Sequence, residues 1–204
     1  MPTTSFLGEM LMKSAISVKN LTKKYGNDIV LKGIDFEVKQ GEIFALLGAN
    51  GAGKTTTLEC IEGIRTYDSG EISVLGFSPN SHEISKAIGV QLQSTSLPAS
   101  INAKEAFTLF CKWQKAPVRL ELLDVFGLGG SINKQYKTLS TGQKRRLHLA
   151  LAVANNPKVL FLDEPTSGLD VEGRAALHKE IRRMKSEGIT VVMSSHDMAE
   201  VEAL

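Results

Sequence analysis

Residues 48–56 read "GANGAGKTT", the spacing G-x-x-x-x-G-K-[ST]. Gly48, Gly51 and Gly53 lack a Cβ, so with Ala49, Asn50 and Ala52 they let backbone N–H groups converge on phosphate oxygens. Lys54 is placed to reach the β- and γ-phosphates, the Thr55 hydroxyl to ligate Mg²⁺, and Thr56 to continue the helix N-terminus on which the anion rests. Such chemistry also needs a carboxylate at a neighbouring strand end, and "KVLFLDE" (158–164) supplies Asp163 and Glu164. Asp163 reads as the metal-side acid. Glu164, one residue on, points elsewhere and is a candidate general base for an attacking water. His196 follows the apolar "ITVVMSS". A lone histidine at a strand end is more often structural, but this one shares its sheet edge with Asp163 and is a candidate hydrogen-bonder to the γ-phosphate or the water. "LSTGQKRRL" (139–147) holds small polar residues and cations at a helix mouth, with no acid or base beside them. Its residues alone assign it no chemistry within this chain.

The elements that must carry these groups follow from periodicity. "ISVKNLTKKY" (16–25) and "IDFEVKQGE" (34–42) alternate partially, as half-exposed antiparallel strands do. "IFALLG" (43–48) is wholly apolar and reads as a strand buried on both faces. A helix is expected over about Lys54–Arg65, then a strand in "EISVLG" and another in "IGVQLQ" (88–93). Helical patterns run from about Asn102 to Phe126 with a break at Pro117, and from "LSTGQ" to Asn155. "KVLFLDE" and "ITVVMSSH" flank the charged helix "EGRAALHKEIRRMKSEG". Strands alternating with helices in the second half imply a parallel sheet covered on both faces.

Composition sets outer bounds. The 204 residues are 42% hydrophobic and 23% charged, an ordinary globular balance for a single domain. A formal charge of +2 with dispersed cations argues against nucleic acid as a partner. Cys60 and Cys111 lack metal or redox spacing. No apolar run approaches the roughly 20 residues of a membrane span, and residues 1–12 lack the pattern of a signal peptide and read as a flexible extension.

In order, "GANGAGKTT", "IGVQLQ", "LSTGQ", "LFLDEP", "SGLD" and "SSHD" closely resemble the ATP-binding-cassette family. The resemblance covers nearly the whole chain, from about Ile16 to the last residue. It implies an α/β P-loop core with a mostly parallel sheet, an N-terminal antiparallel β subdomain and a compact α-helical subdomain. The core would take about 16–92 and 155–204, and the helical part about 93–154. It implies ATP and Mg²⁺ as cofactors. Tyr25 in "TKKYG" matches the aromatic that stacks on adenine, an edge-strand packing role being its rival. Gln93 matches the glutamine that contacts Mg²⁺ or the lytic water, with Gln91 nearby as a competitor for that assignment.

The resemblance also gives "LSTGQ" a role: Ser140, Thr141, Gly142 and Gln143 would face ATP held by a second subunit of a head-to-tail dimer, a homodimer. Asp170 in "SGLD" would contact that subunit, and Asp163, Glu164 and His196 match the Walker B acid, the catalytic glutamate and the switch histidine. The implied setting is the cytoplasmic face of a cell membrane, beside a transmembrane permease on a separate chain, in a system of export type. The alternative is a soluble cassette ATPase of the translation or chromosome-repair kind. Three departures stand out. Thr141 occupies a position where the family usually has glycine, the segment between Gln93 and Leu139 is short, and the chain stops after "DMAEVEAL", where the family continues. The last leads to the expectation of a truncated chain.

Overall fold

The computed structural model describes residues 14–93 and 96–204, so the expected extension at 1–12 lies outside the described residues. Two sheets organise the chain. Strands β1 (Ser14–Tyr25) and β2 (Asp28–Lys39) form a long antiparallel ribbon, joined by β4 (Ser69–Val74) in the order β2-β1-β4. The parallel sheet comprises β3 (Ile43–Leu47), β5 (Ile88–Gln91), β6 (Val159–Asp163) and β7 (Thr190–Ser195), in the order β3-β7-β6-β5. The helices are α1 (Lys54–Ile61), α2 (His82–Ala87), α3 (Ala103–Trp113), α4 (Glu121–Val125), α5 (Thr141–Val153), α6 (Val171–Ser186) and α7 (Met198–Glu202).

The central strands are apolar because both of their faces are covered. Every residue of β6 and β7 is buried. Leu160, Leu162, Val191 and Met193 enter a cluster with α3, α5 and α6, while Val159, Phe161 and Val192 enter a second one with α1 and the antiparallel sheet. The helical segment therefore has no separate core. Gly89 marks how tightly α5 lies on the sheet: a Cβ there would stand 2.1 Å from the Ala152 carbonyl oxygen.

Three sequence expectations need correction. β3 is half-buried rather than covered on both faces, because it is an edge strand with only β7 beside it. The helix expected to reach Arg65 stops at Ile61. There Gly63 takes φ +76°, and the N–H groups of Gly63 and Ile64 bond back to the carbonyls of Cys60 and Glu59, the 5→2 and 6→1 pair of a Schellman stop. "VRLELLDVF" yields only the short α4, and α2 went unforeseen.

The register brings the strand ends level. Leu47 pairs with Ser195 and Asp163 with Ser194, all at the carboxyl ends of their strands. All four parallel strands thus deliver their next residues to one edge, where ligands of open α/β sheets bind.

Candidate nucleotide site

The loop after β3 turns with Gly51 at φ +83° and Gly53 at φ +90°, a region that costs glycine little. At Gly53 a side chain would also meet Leu31 Cδ2 at 2.8 Å. α3, α5 and α6 each have a side-chain N-cap, from Asn102, Ser140 and Asp170. α1 has none. Its first-turn N–H groups are left to an outside acceptor, and a phosphate suits them in charge and geometry. Lys54 is buried beneath the loop, its Nζ donating to the carbonyls of Gly48 (2.7 Å) and Ala49 (3.1 Å).

Asp163 is held at both oxygens. Thr55 Oγ1 donates to Oδ2 at 2.9 Å, and the Ser194 hydroxyl donates to Oδ1. The same Ser194 oxygen accepts the N–H of Glu164 at 2.9 Å. Glu164 has φ +45°, the left-handed region that non-glycine residues rarely adopt, and this bend turns its carboxylate away from Asp163's. Around that carboxylate, Gln93 Nε2 donates to Oε2 at 3.1 Å, His196 Nδ1 lies 3.3 Å from Oε1, and Lys54 Nζ lies 3.9 Å from Oε1. The cleft above has a volume of about 450 Å³ and is lined by Asn50, Gly51, Gly53, Lys54, Thr55, Thr56, Gln93 and Glu164, with Val30. Gln93, not the buried Gln91, is the glutamine that reaches the site.

Tyr25, at the end of β1, is not among the residues lining this cleft; its ring has Lys23 Nζ at 5.4 Å and the Arg65 guanidinium at 5.5 Å. Sequence reasoning missed Ser194, which aligns both acids; its only signal was the doubled serine before His196. It also missed Glu62, at the end of α1. That carboxyl is buried with no hydrogen-bond partner for either oxygen. Burial first, then the nearby Asp163 and Glu59 carboxylates, push its pKa from the ordinary 4.5 up to about 8.

Thr55 lines the cleft, and its hydroxyl lies 2.9 Å from the carboxylate of buried Asp163, which is not itself among the lining residues; these two hard oxygens are a donor set that suits Mg²⁺. Among the described residues no group of three or more His, Cys, Asp or Glu could hold a metal ion.

A second cleft of about 490 Å³ lies on the same chain, lined by Ser140, Thr141, Gly142, Gly168 and Asp170 among others. Ser140 and Gln143 form a reciprocal capping box: Gln143 N donates to Ser140 Oγ at 3.2 Å, and Ser140 N donates to Gln143 Oε1 at 3.0 Å. Because the Ser140 hydroxyl accepts in this box, its own proton is still available to donate outward. Thr141 is exposed at the first helical position, and the segment shows no left-handed backbone. Asp170 caps α6 by accepting from Gly173 N at 2.8 Å.

An uncapped helix end after a glycine loop, with two acids at the end of β6, one strand beyond β7, defines a P-loop nucleotide-binding domain. The sequence family described as ABC transporter matches residues 31–167. The linearmycin resistance ATP-binding protein LnrL of Bacillus subtilis (strain 168) is 35% identical over 197 residues, covering 93% of this chain and 63% of the relative. The Nod factor export ATP-binding protein I of Burkholderia orbicola (strain AU 1054) is 36% identical over 197 residues, covering 93% of this chain and 65% of that one. A solved ATP-binding subunit of an ABC transporter superposes with a TM-score of 0.82 at 28% identity, over 92% of this chain and 82% of its own. The chain belongs to the ABC transporter family, and the cassette fold expected from its motifs is the one observed. It spans under two thirds of the length of the two curated relatives.

Proposed function

We propose that this chain binds ATP with Mg²⁺ and hydrolyses it, as the ATP-binding subunit of an exporter whose membrane-spanning permease is a separate chain. The observation that carries the reading is the convergence on one cleft of residues that follow β3, β5 and β6, with Glu164 held by Gln93 and by His196, which follows β7. No described helix is long and apolar enough to cross a membrane. Relatives named for linearmycin resistance and for Nod factor export favour transport, in the outward direction, over a soluble cassette ATPase. The place of work would be the inner face of the cell membrane.

The loop N–H groups, the α1 N-terminus and Lys54 bind the phosphates, with Tyr25 offered to the adenine. Mg²⁺ would be held by Thr55 and Asp163, with Gln93 beside it, and would neutralise charge on the phosphates. Glu164 accepts a proton from the attacking water, and His196 steadies Glu164 and the γ-phosphate oxygens. Ser140, Thr141, Gly142 and Gln143 of one copy would close on the nucleotide of a second, with Asp170 at the seam. ATP bound between the copies then favours the closed dimer by mass action.

Glu164→Gln keeps the shape of the cleft and removes the base. Saturating MgATP is expected to double the sedimenting mass of this variant, and ATP turnover is expected to vanish. A variant that stays monomeric while binding ATP would overturn the two-copy reading.

A further inference from the structure

His196 stands at the sheet edge with its side chain 54% exposed and a single hydrogen bond, to Glu164. Its aim therefore depends on the turn that carries it. Buried Ser195 accepts the N–H of Asp197 at 3.0 Å and donates to the carboxylate of Glu200 on α7, which closes the chain around His196. Glu200 is itself buried, and its other oxygen has no hydrogen bond. That oxygen faces Nε2 of His178 on α6 at 3.9 Å, an atom equally without a hydrogen bond. A buried carboxylate half-satisfied in this way costs free energy that ordinary packing would avoid. α6 makes a second link to the same turn, since the Arg174 guanidinium lies 3.9 Å from the Asp197 carboxylate. At the N-terminus of α6 sits Asp170, which lines the second cleft.

We propose that Glu200 is a positioning residue: with His178 and Ser195 it forms a buried strut that carries displacement of α6 at Asp170 to the imidazole of His196. The inference rests on the ATPase reading above and extends it, because it links closure by a second copy to the group that touches Glu164. A hydrogen-bonded partner standing behind a functional side chain typically changes rate by 10- to 100-fold when removed. Nucleotide affinity should change little, because none of the three residues lines the phosphate cleft.

The test compares Glu200→Ala and Ser195→Ala in the full chain, each alone and combined with His196→Ala. Each single variant is expected to lower kcat by about tenfold or more, with KM for ATP within about twofold. In the His196→Ala background neither should lower kcat further, because the strut acts only through that ring. Losses that add to His196→Ala, KM rising in step with the fall in kcat, or unchanged kcat in both variants would overturn it. Ser195→Ala removes one buried oxygen and decides the matter alone if Glu200→Ala does not fold. ¹⁵N-histidine NMR supplies a readout free of turnover. The His196 ring signals should move in both variants while those of His82, on α2, stay in place, and an unmoved His196 refutes the strut. If the unsubstituted chain shows no turnover, the ATPase reading fails, and the ring signals still decide the strut.

Discussion

Glu62→Gln isolates a buried carboxyl whose pKa is raised to about 8. Below pH 4.5 both folded and unfolded chains hold this proton. As pH rises toward 8 the unfolded carboxyl ionises while the folded one keeps its proton, so the folded chain binds more protons and loses stability with rising pH. At about 1.4 kcal/mol per pH unit, the interval from roughly pH 5.5 to pH 8 removes about 3 kcal/mol. Glutamine has nearly the same shape and does not titrate. Urea unfolding of both proteins at those two pH values should therefore show the variant gaining about 3 kcal/mol on the wild type between them, at equal m-values. Taking the difference between the two proteins cancels the titrating groups that do not interact with Glu62, leaving only Asp163 and Glu59, whose charges couple to it. A difference that stays within about 0.5 kcal/mol across the interval would refute the buried, unpartnered carboxyl.

Ser194→Ala strips a donor from Asp163 Oδ1 and the acceptor of the Glu164 N–H. It is expected to cost about 2 kcal/mol in urea unfolding and 10- to 100-fold in ATP turnover. Gly89→Ala would drive a Cβ against the Ala152 carbonyl, so α5 must move off the sheet. A loss of about 3 kcal/mol is expected in thermal unfolding, and an unchanged Tm would show that the contact can relax.

The sequence made some of this legible. Loop, strand and helix around Lys54 each left a local pattern, and the apolar strands around Asp163 and His196 read correctly because burial on both faces excludes polar residues. β3 misled, since an edge strand of a parallel sheet has the same composition as a central one. Gln91 and Gln93 could not be separated by type, because only the end of β5 decides which of them leaves the sheet. Glu62, Glu200 and His178 gave no warning, and Ser194 gave only the doubled serine before His196. Their importance comes from neighbours met only across the fold, Ser194 and Asp163 being 31 positions apart, and no periodicity records that.

The two clefts are lined by disjoint residues of one chain, Lys54 and its neighbours in one, Ser140 and its neighbours in the other. In a head-to-tail pair each nucleotide would take one cleft from each copy, so damage to the two clefts is not inherited in the same way. A pair in which both copies carry Lys54→Ala has two broken sites, as does a pair in which both carry Ser140→Ala. Mixing the two chains places both lesions in one site and leaves the other whole. Two defective sequences would thus make half a working machine, which confines complementation to lesions in different clefts of the same fold.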